Sequence, residues 1–138
     1  MKYLLCVLFA VVISCNAVTA VYADNSDEAL QSAELWLNLA DKEDIFTTWE
    51  QASTLFKKNI SASEWEKAFT KARAPLGSIV ARKLLSLQAA STLPAAPDGE
   101  YIILRFQTEF TKKKTAIETI TQQKEQDGKW RTAGYYIQ

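Results

Sequence analysis

The clearest alternation of apolar and polar positions lies at Tyr101–Phe110. Ile102, Leu104, Phe106 and Phe110 fall on one face with Thr108 among them, and Arg105, Gln107 and Glu109 fall on the other. A two-residue period rich in aromatic and β-branched side chains marks a strand with one buried face. Ser78–Ala90 reads as a less regular strand ahead of it. Ile79, Ala81, Leu85, Leu87 and Ala89 share one parity, interrupted by Lys83, while Val80, Arg82 and Leu84 take the other. A bulge or burial on both faces is expected there. Leu93–Gly99 is a loop, punctuated by Pro94, Pro97 and Asp98-Gly99. Thr115–Lys124 is a third strand, with Ile117 and Ile120 on opposite parities, and Trp130–Ile137 a fourth. Gln126-Asp127-Gly128 between them is a hairpin signal.

The period changes to 3.6 in the first half of the chain. Ala29, Ala33, Trp36, Leu37 and Ala40 predict a helix over 27–41, opened by Asn25 or Ser26. Phe46, Trp49, Ala52, Leu55 and Phe56 predict a second over 44–58, with Lys57 and Lys58 at its negative end. Ser61 with Glu64 fits a capping box, Ser63 being the alternative cap, and opens a third helix with Trp65, Ala68, Phe69 and Ala72 buried. That helix stops near Arg73, because Pro75 disfavours helical geometry at Ala74.

Three helices followed by four strands make an α+β domain. Sequential strands joined by short turns form an antiparallel meander, and the three N-terminal helices must all lie on one face of the sheet. A sheet curved around a helix encloses a hollow, the cystatin-like or NTF2-like arrangement. The opposite face is then either solvated or an interaction surface.

Ahead of this domain stands a targeting segment. Met1-Lys2 is a short positive start and Tyr3–Val12 an apolar run too short to span a membrane. Val18-Thr19-Ala20 and Val21-Tyr22-Ala23 both place a small residue at the cut, with Val as the third residue before it; cleavage after Ala23 is preferred because Asp24 opens a polar stretch. Residues 1–23 are thus read as a cleaved signal peptide and 24–138 as the domain. Val12-Ile13-Ser14-Cys15 also resembles a bacterial lipobox, in which Cys15 would carry a lipid anchor. The expected location is periplasmic or secreted, or anchored to the envelope through Cys15.

Composition narrows the chemistry. Cys6 and Cys15 both lie in the leader, and the chain has no histidine. The mature domain therefore has no internal disulfide, no thiol nucleophile and no Cys-based metal site, and it lacks the commonest metal ligand and the commonest general base. No catalytic constellation, metal site or cofactor is expected. With Lys2 removed, 15 basic residues face 16 acidic ones, a net charge of about −1. That argues against non-specific nucleic-acid binding and against anionic membrane surfaces.

Five residues are candidates for a ligand site: Arg73, Arg82, Tyr101, Glu118 and Tyr135. An arginine facing the mid-strand carboxylate of Glu118 would form a partly buried pair or hold an acidic ligand in the hollow. The pair is favoured, since buried ions are retained only where they are matched. Tyr101 and Tyr135 could present hydroxyls to the same hollow, although strand tyrosines ordinarily serve packing. Lys112-Lys113-Lys114 reads as a solvated hairpin tip. Glu64 and Glu66 have capping and dipole reasons to stand at a helix start.

Trp49, Trp65, Arg73-Ala74-Pro75-Leu76-Gly77 with Arg82, Leu93-Pro94-x-x-Pro97-Asp98-Gly99-x-Tyr101, Phe110-x-x-Lys113, Glu118-Thr119, Asp127-Gly128-x-Trp130 and Gly134-Tyr135 together resemble the bacterial DUF4019 family. The resemblance covers about residues 28–138. It implies an exported domain of unknown function and carries over no catalytic residue. The expectation is a non-catalytic binding or protein-interaction module of the cell envelope, with an unknown envelope protein as partner. The alternative is a carrier or sensor of a small acidic ligand, and a hydrolase working without His or Cys comes last.

Overall fold

The computed structural model describes residues 17–138, with side chains from Ala23 onward. Cys6, Cys15 and the apolar run of the leader lie outside the described residues. Helix α1 (Ala17–Asp41) is followed by α2 (Ile45–Glu50), α3 (Thr54–Asn59) and α4 (Ala62–Arg73), and a 3₁₀ turn over Ala74–Leu76 leads into the sheet. Strands β1 (Ile79–Ala90), β2 (Glu100–Phe110), β3 (Lys113–Lys124) and β4 (Trp130–Ile137) pair in that order, every neighbour antiparallel. The domain is α+β, with a four-stranded open meander.

Four helices stand where three were expected. The stretch 44–58 is broken at Gln51–Ser53, because Ser53 is more useful outside a helix. Its hydroxyl caps α3 by accepting from the Phe56 N–H at 3.1 Å, and its own N–H donates to the Thr132 carbonyl of β4 at 2.8 Å. A tertiary bond to the sheet thus replaces the bond that would have continued the helix. Phe46, expected on a buried stripe, is 62% exposed on the short α2. At the other end, α1 starts at Ala17, ten residues before its predicted first residue. Asn25 does not cap it; its side-chain oxygen accepts from Lys124 Nζ at 2.9 Å. No Gly or Pro interrupts 17–27, so nothing breaks the helix there.

The rest of α1 follows its stripe: Ala29, Ala33, Trp36, Leu37 and Ala40 are buried against β2, β3 and β4. Helix α4 has the complete capping box, Ser61 and Glu64 bonding reciprocally. It buries Trp65, Phe69 and Arg73, whereas Ala68 and Ala72 face solvent. The core between the layers is strongly aromatic. Trp65 packs edge-on against Phe56 (5.0 Å) and Phe69 (5.6 Å), and Trp36 lies tilted against Trp65 (5.9 Å) and Tyr135 (5.2 Å). Thr48, fully buried, satisfies two indoles: its carbonyl accepts from Trp36 Nε1 at 2.8 Å and its hydroxyl from Trp65 Nε1 at 2.9 Å. Truncating one such tryptophan to alanine costs about 3–5 kcal/mol.

Strand β2 alternates as its sequence predicts, with Ile102, Leu104, Phe106, Thr108 and Phe110 buried and Arg105, Gln107 and Glu109 exposed. The irregularity of β1 is also present: its register against β2 shifts between Ile79 and Ala81 and again between Leu84 and Ser86. The two sheet edges differ. The outer side of β4 is met by the helical layer, through Ser53 N–H to Thr132 and through Ser32 Oγ, which donates to the Trp130 carbonyl at 2.8 Å. Among the described residues nothing pairs with the outer side of β1.

Candidate functional site

The C-terminal ends of α1 and α4 meet the core face of the sheet where β1, β2 and β3 present Arg82, Thr108 and Glu118. Register sets this meeting: Arg82 lies opposite Thr108, Thr108 beside Ala116, and Glu118 opposite Phe106, all on the buried side. Arg73 arrives in the last turn of α4, where a cation is favoured by the helix dipole. Asp41 arrives at the end of α1, the wrong end for an anion, and is held there by its partners.

Glu118 is fully buried. Its carboxylate accepts from Arg82 Nε at 2.8 Å, Thr108 Oγ1 at 2.5 Å and Arg73 Nη1 at 3.3 Å, and also from the hydroxyl of Tyr135. Asp41 accepts from Arg73 Nη2 at 2.8 Å and from both terminal nitrogens of Arg82, at 2.8 and 2.9 Å. Arg73 Nη1 also donates to Tyr135 at 3.0 Å, and its guanidinium lies 4.8 Å over the Phe110 ring. Two cations and two anions cancel, which is the condition for holding four ions in a poorly solvated place.

The electrostatics follow from that closure. Burial alone would raise the Asp41 pKa, but the hydrogen bonds and charges of Arg82 and Arg73 outweigh it and hold the carboxyl below its ordinary value. Burial works against both guanidinium charges too, and is outweighed for Arg73 by Tyr135, Asp41 and Glu118 and for Arg82 by Asp41 and Glu118, so both pKa values rise. Tyr135 is pushed far up, first by burial and then by the Glu118 charge, so its phenol stays neutral. A neutral phenol, two arginines that cannot release a proton and two fully hydrogen-bonded carboxylates offer neither a nucleophile nor a free base. Among the described residues no group of three or more His, Cys, Asp or Glu side chains is placed to hold a metal.

Of the five candidate residues, four come together: Arg73, Arg82, Glu118 and Tyr135. Tyr101 does not join them. It lies toward the opposite end of β2, opposite Gln123 and on the other face of the sheet, where the β1–β2 loop covers it and its hydroxyl donates to the Pro97 carbonyl at 2.6 Å. Its odd-numbered position, shared with Arg105 and Gln107, was the signal. Asp41 and Thr108 are the members that the candidate set lacks. An acid at the C-terminal end of a helix and a lone hydroxyl on an apolar strand face both mark buried polar partners.

Beside the cluster a recess of about 260 Å³ opens among Asp41, Lys42, Phe69, Arg73 and Ser78. A larger groove of about 800 Å³ lies at the other end, between α1, α2 and the β3–β4 turn, with Leu35, Trp36 and Trp130 in its walls.

No curated protein and no solved structure matches the chain. A family model described as a protein of unknown function (DUF4019) matches residues 32–135, which include all six members of the cluster. The match spans most of the chain, and the protein belongs to the DUF4019 family.

Proposed function

We propose that the protein is an exported, non-catalytic protein-interaction module of the cell envelope, built on a cystatin-like or NTF2-like arrangement of sheet and helices. The observation that carries this reading is the outer edge of β1. It is twelve residues long, unpaired among the described residues, and exposes Val80, Leu84 and Leu85. A long apolar edge with free backbone donors and acceptors is a template for another strand. The arginine–carboxylate cluster supports the same reading from the other side, because its hydrogen bonds bind the sheet to the helices and leave no reactive group open.

The leader-like start, with its positive residue and apolar run, supports export. The test is photo-crosslinking in cells from single positions along β1, such as Lys83 and Gln88, with Glu66 on the solvent side of α4 as control. The expected result is a discrete protein adduct from β1 and none from Glu66. Equal or absent labelling at both would overturn the reading.

The recess beside Arg73 favours a second reading, a carrier of a small acidic ligand. The ligand would have to draw Arg73 or Arg82 away from Asp41. A rise in Tm with small dicarboxylates or phosphate, lost in Arg82→Ala with the fold intact, would establish it.

A further inference from the structure

The β1 edge has an internal symmetry that names its partner. Where two antiparallel strands pair, directly opposite residues point to the same side of the sheet. In a regular strand that meets a copy of itself about a two-fold axis, the axis must therefore pass through a residue, which then faces itself. In β1 the register against β2 shifts between Leu84 and Ser86, so Leu85 is an extra residue and side-chain parity reverses across it. Arg82, Leu84, Leu87 and Ala89 lie opposite Thr108, Phe106, Leu104 and Ile102 on the core side, while Ala81, Lys83, Ser86 and Gln88 lie on the open side.

We propose that β1 pairs antiparallel with β1 of a second copy, about an axis between Leu84 and Leu85, to give a continuous eight-stranded sheet. This register keeps each matched pair from Ala81 to Gln88 on one face; beyond Ala81 the second register shift makes Val80 an extra residue too, and the pairing ends there. Arg82 meets Leu87 of the second copy, Lys83 meets Ser86, and Ala81 meets Gln88. No charge faces a like charge across the junction: the one solvated cation of the strand, Lys83, sits off the axis, and Arg82 is already held by Asp41 and Glu118. Leu84 (36% exposed) and Leu85 (47%) gain cover from their counterparts. The bulge and the single Lys83 are also features that deter promiscuous edge pairing, so they restrict β1 to partners with a matching reversal, which the second copy has. The other edge cannot compete, because Ser53 and Ser32 already meet β4.

The inference rests on the interaction-module reading and sharpens it to one occupant. Its test uses the full chain carrying Lys83→Cys and Ser86→Cys together, both exposed positions in a domain otherwise free of cysteine. Because Leu85 is an extra residue, the two positions stand opposite Gln107 and Arg105, about 7 Å apart along the strand and just beyond the usual Cα range of a disulfide. The covalent dimer, rather than the peptide alone, therefore reports the junction. Across the proposed junction they are direct neighbours. Mild oxidation is expected to give a dimer whose 83–86 disulfide peptide is identified by mass spectrometry, with no such peptide in either single variant. Sedimentation of the unsubstituted chain is expected to give a dimer that Leu85→Lys converts to a monomer.

A monomeric unsubstituted chain, together with no 83–86 disulfide dimer, would overturn the inference. If β1 then crosslinks to a different protein in cells, the module reading stands and only the second copy is wrong. If β1 crosslinks to nothing, both fall.

Discussion

Arg82 and Asp41, separated by 41 residues, meet as a two-pronged fork, Nη1 to Oδ2 at 2.8 Å and Nη2 to Oδ1 at 2.9 Å. The contact ties the free-edged strand β1 to the end of α1. It makes the edge strand, which has a neighbour on one side only, part of the domain's most strongly bonded polar cluster.

Arg82→Met should therefore destabilise the fold by about 3–5 kcal/mol in urea titration, the range for removing one partner of a buried ion set. Its removal leaves Arg73 alone between two carboxylates. In combination with Glu118→Gln the loss should be clearly less than the sum of the two single losses, because each variant breaks the same bonds. Additive losses would mean that the two residues do not act as a unit.

Acid should find the same cluster. The folded Asp41 pKa lies below its ordinary 3.8, so its contribution is present above that value and lost as pH falls through it toward the folded pKa. Asp41→Asn should be less stable than the parent at neutral pH, and the gap should narrow below about pH 4. Asp127, drawn down to about 2 chiefly by its hydrogen bonds with Arg131, acts in the same direction but remains in both proteins. Chemical denaturation at a series of pH values measures the gap.

Base should act through Tyr135. Its folded pKa is raised, so its contribution is present below the ordinary value of 10 and declines as pH rises past it. Tyr135→Phe should cost about 1–3 kcal/mol at neutral pH, since Arg73 and Glu118 lose a shared partner. Its stability should fall less steeply than the parent's above pH 10, read by the same titration. Tyr101, also raised by burial and by Asp98, contributes equally to both curves.

Two glycines separate space from conformation. Gly77 (φ +77°) and Gly128 (φ +78°) both sit where a side chain is strained. A Cβ on Gly128 meets nothing within 4 Å, so Gly128→Ala should cost only the backbone penalty of about 1–2 kcal/mol. A Cβ on Gly77 would stand 2.1 Å from Thr111 Oγ1, which accepts from the Ser78 N–H and holds the entry to β1. Gly77→Ala should cost about 2–4 kcal/mol, and thermal unfolding of the two variants compares them directly.

The elements that sequence periodicity makes legible are those whose burial follows a single period. The β2 alternation and the Ala29–Ala40 stripe read through because each element presents one face to one layer. The stretch 44–58 did not, because Ser53 leaves the helix to bond the sheet edge, a choice made by β4 almost eighty residues later. The capping pattern Ser53-x-x-Phe56 was its only local trace. In the cluster, Arg73, Arg82 and Glu118 are visible as charges within otherwise apolar surroundings. Asp41 was hidden inside Asp41-Lys42-Glu43-Asp44, where three of the four charges are solvated. Tyr101 was misplaced through its residue type, against its own parity.

Native mass spectrometry of the protein recovered from its own cell envelope tests the central claim most directly. A closed cluster and an interacting β1 edge predict assemblies whose mass is accounted for by polypeptide, with a dimer of this chain as the basic unit. A monomer carrying a small molecule that is released on denaturation would contradict the account and make the recess beside Arg73 a carrier's binding site.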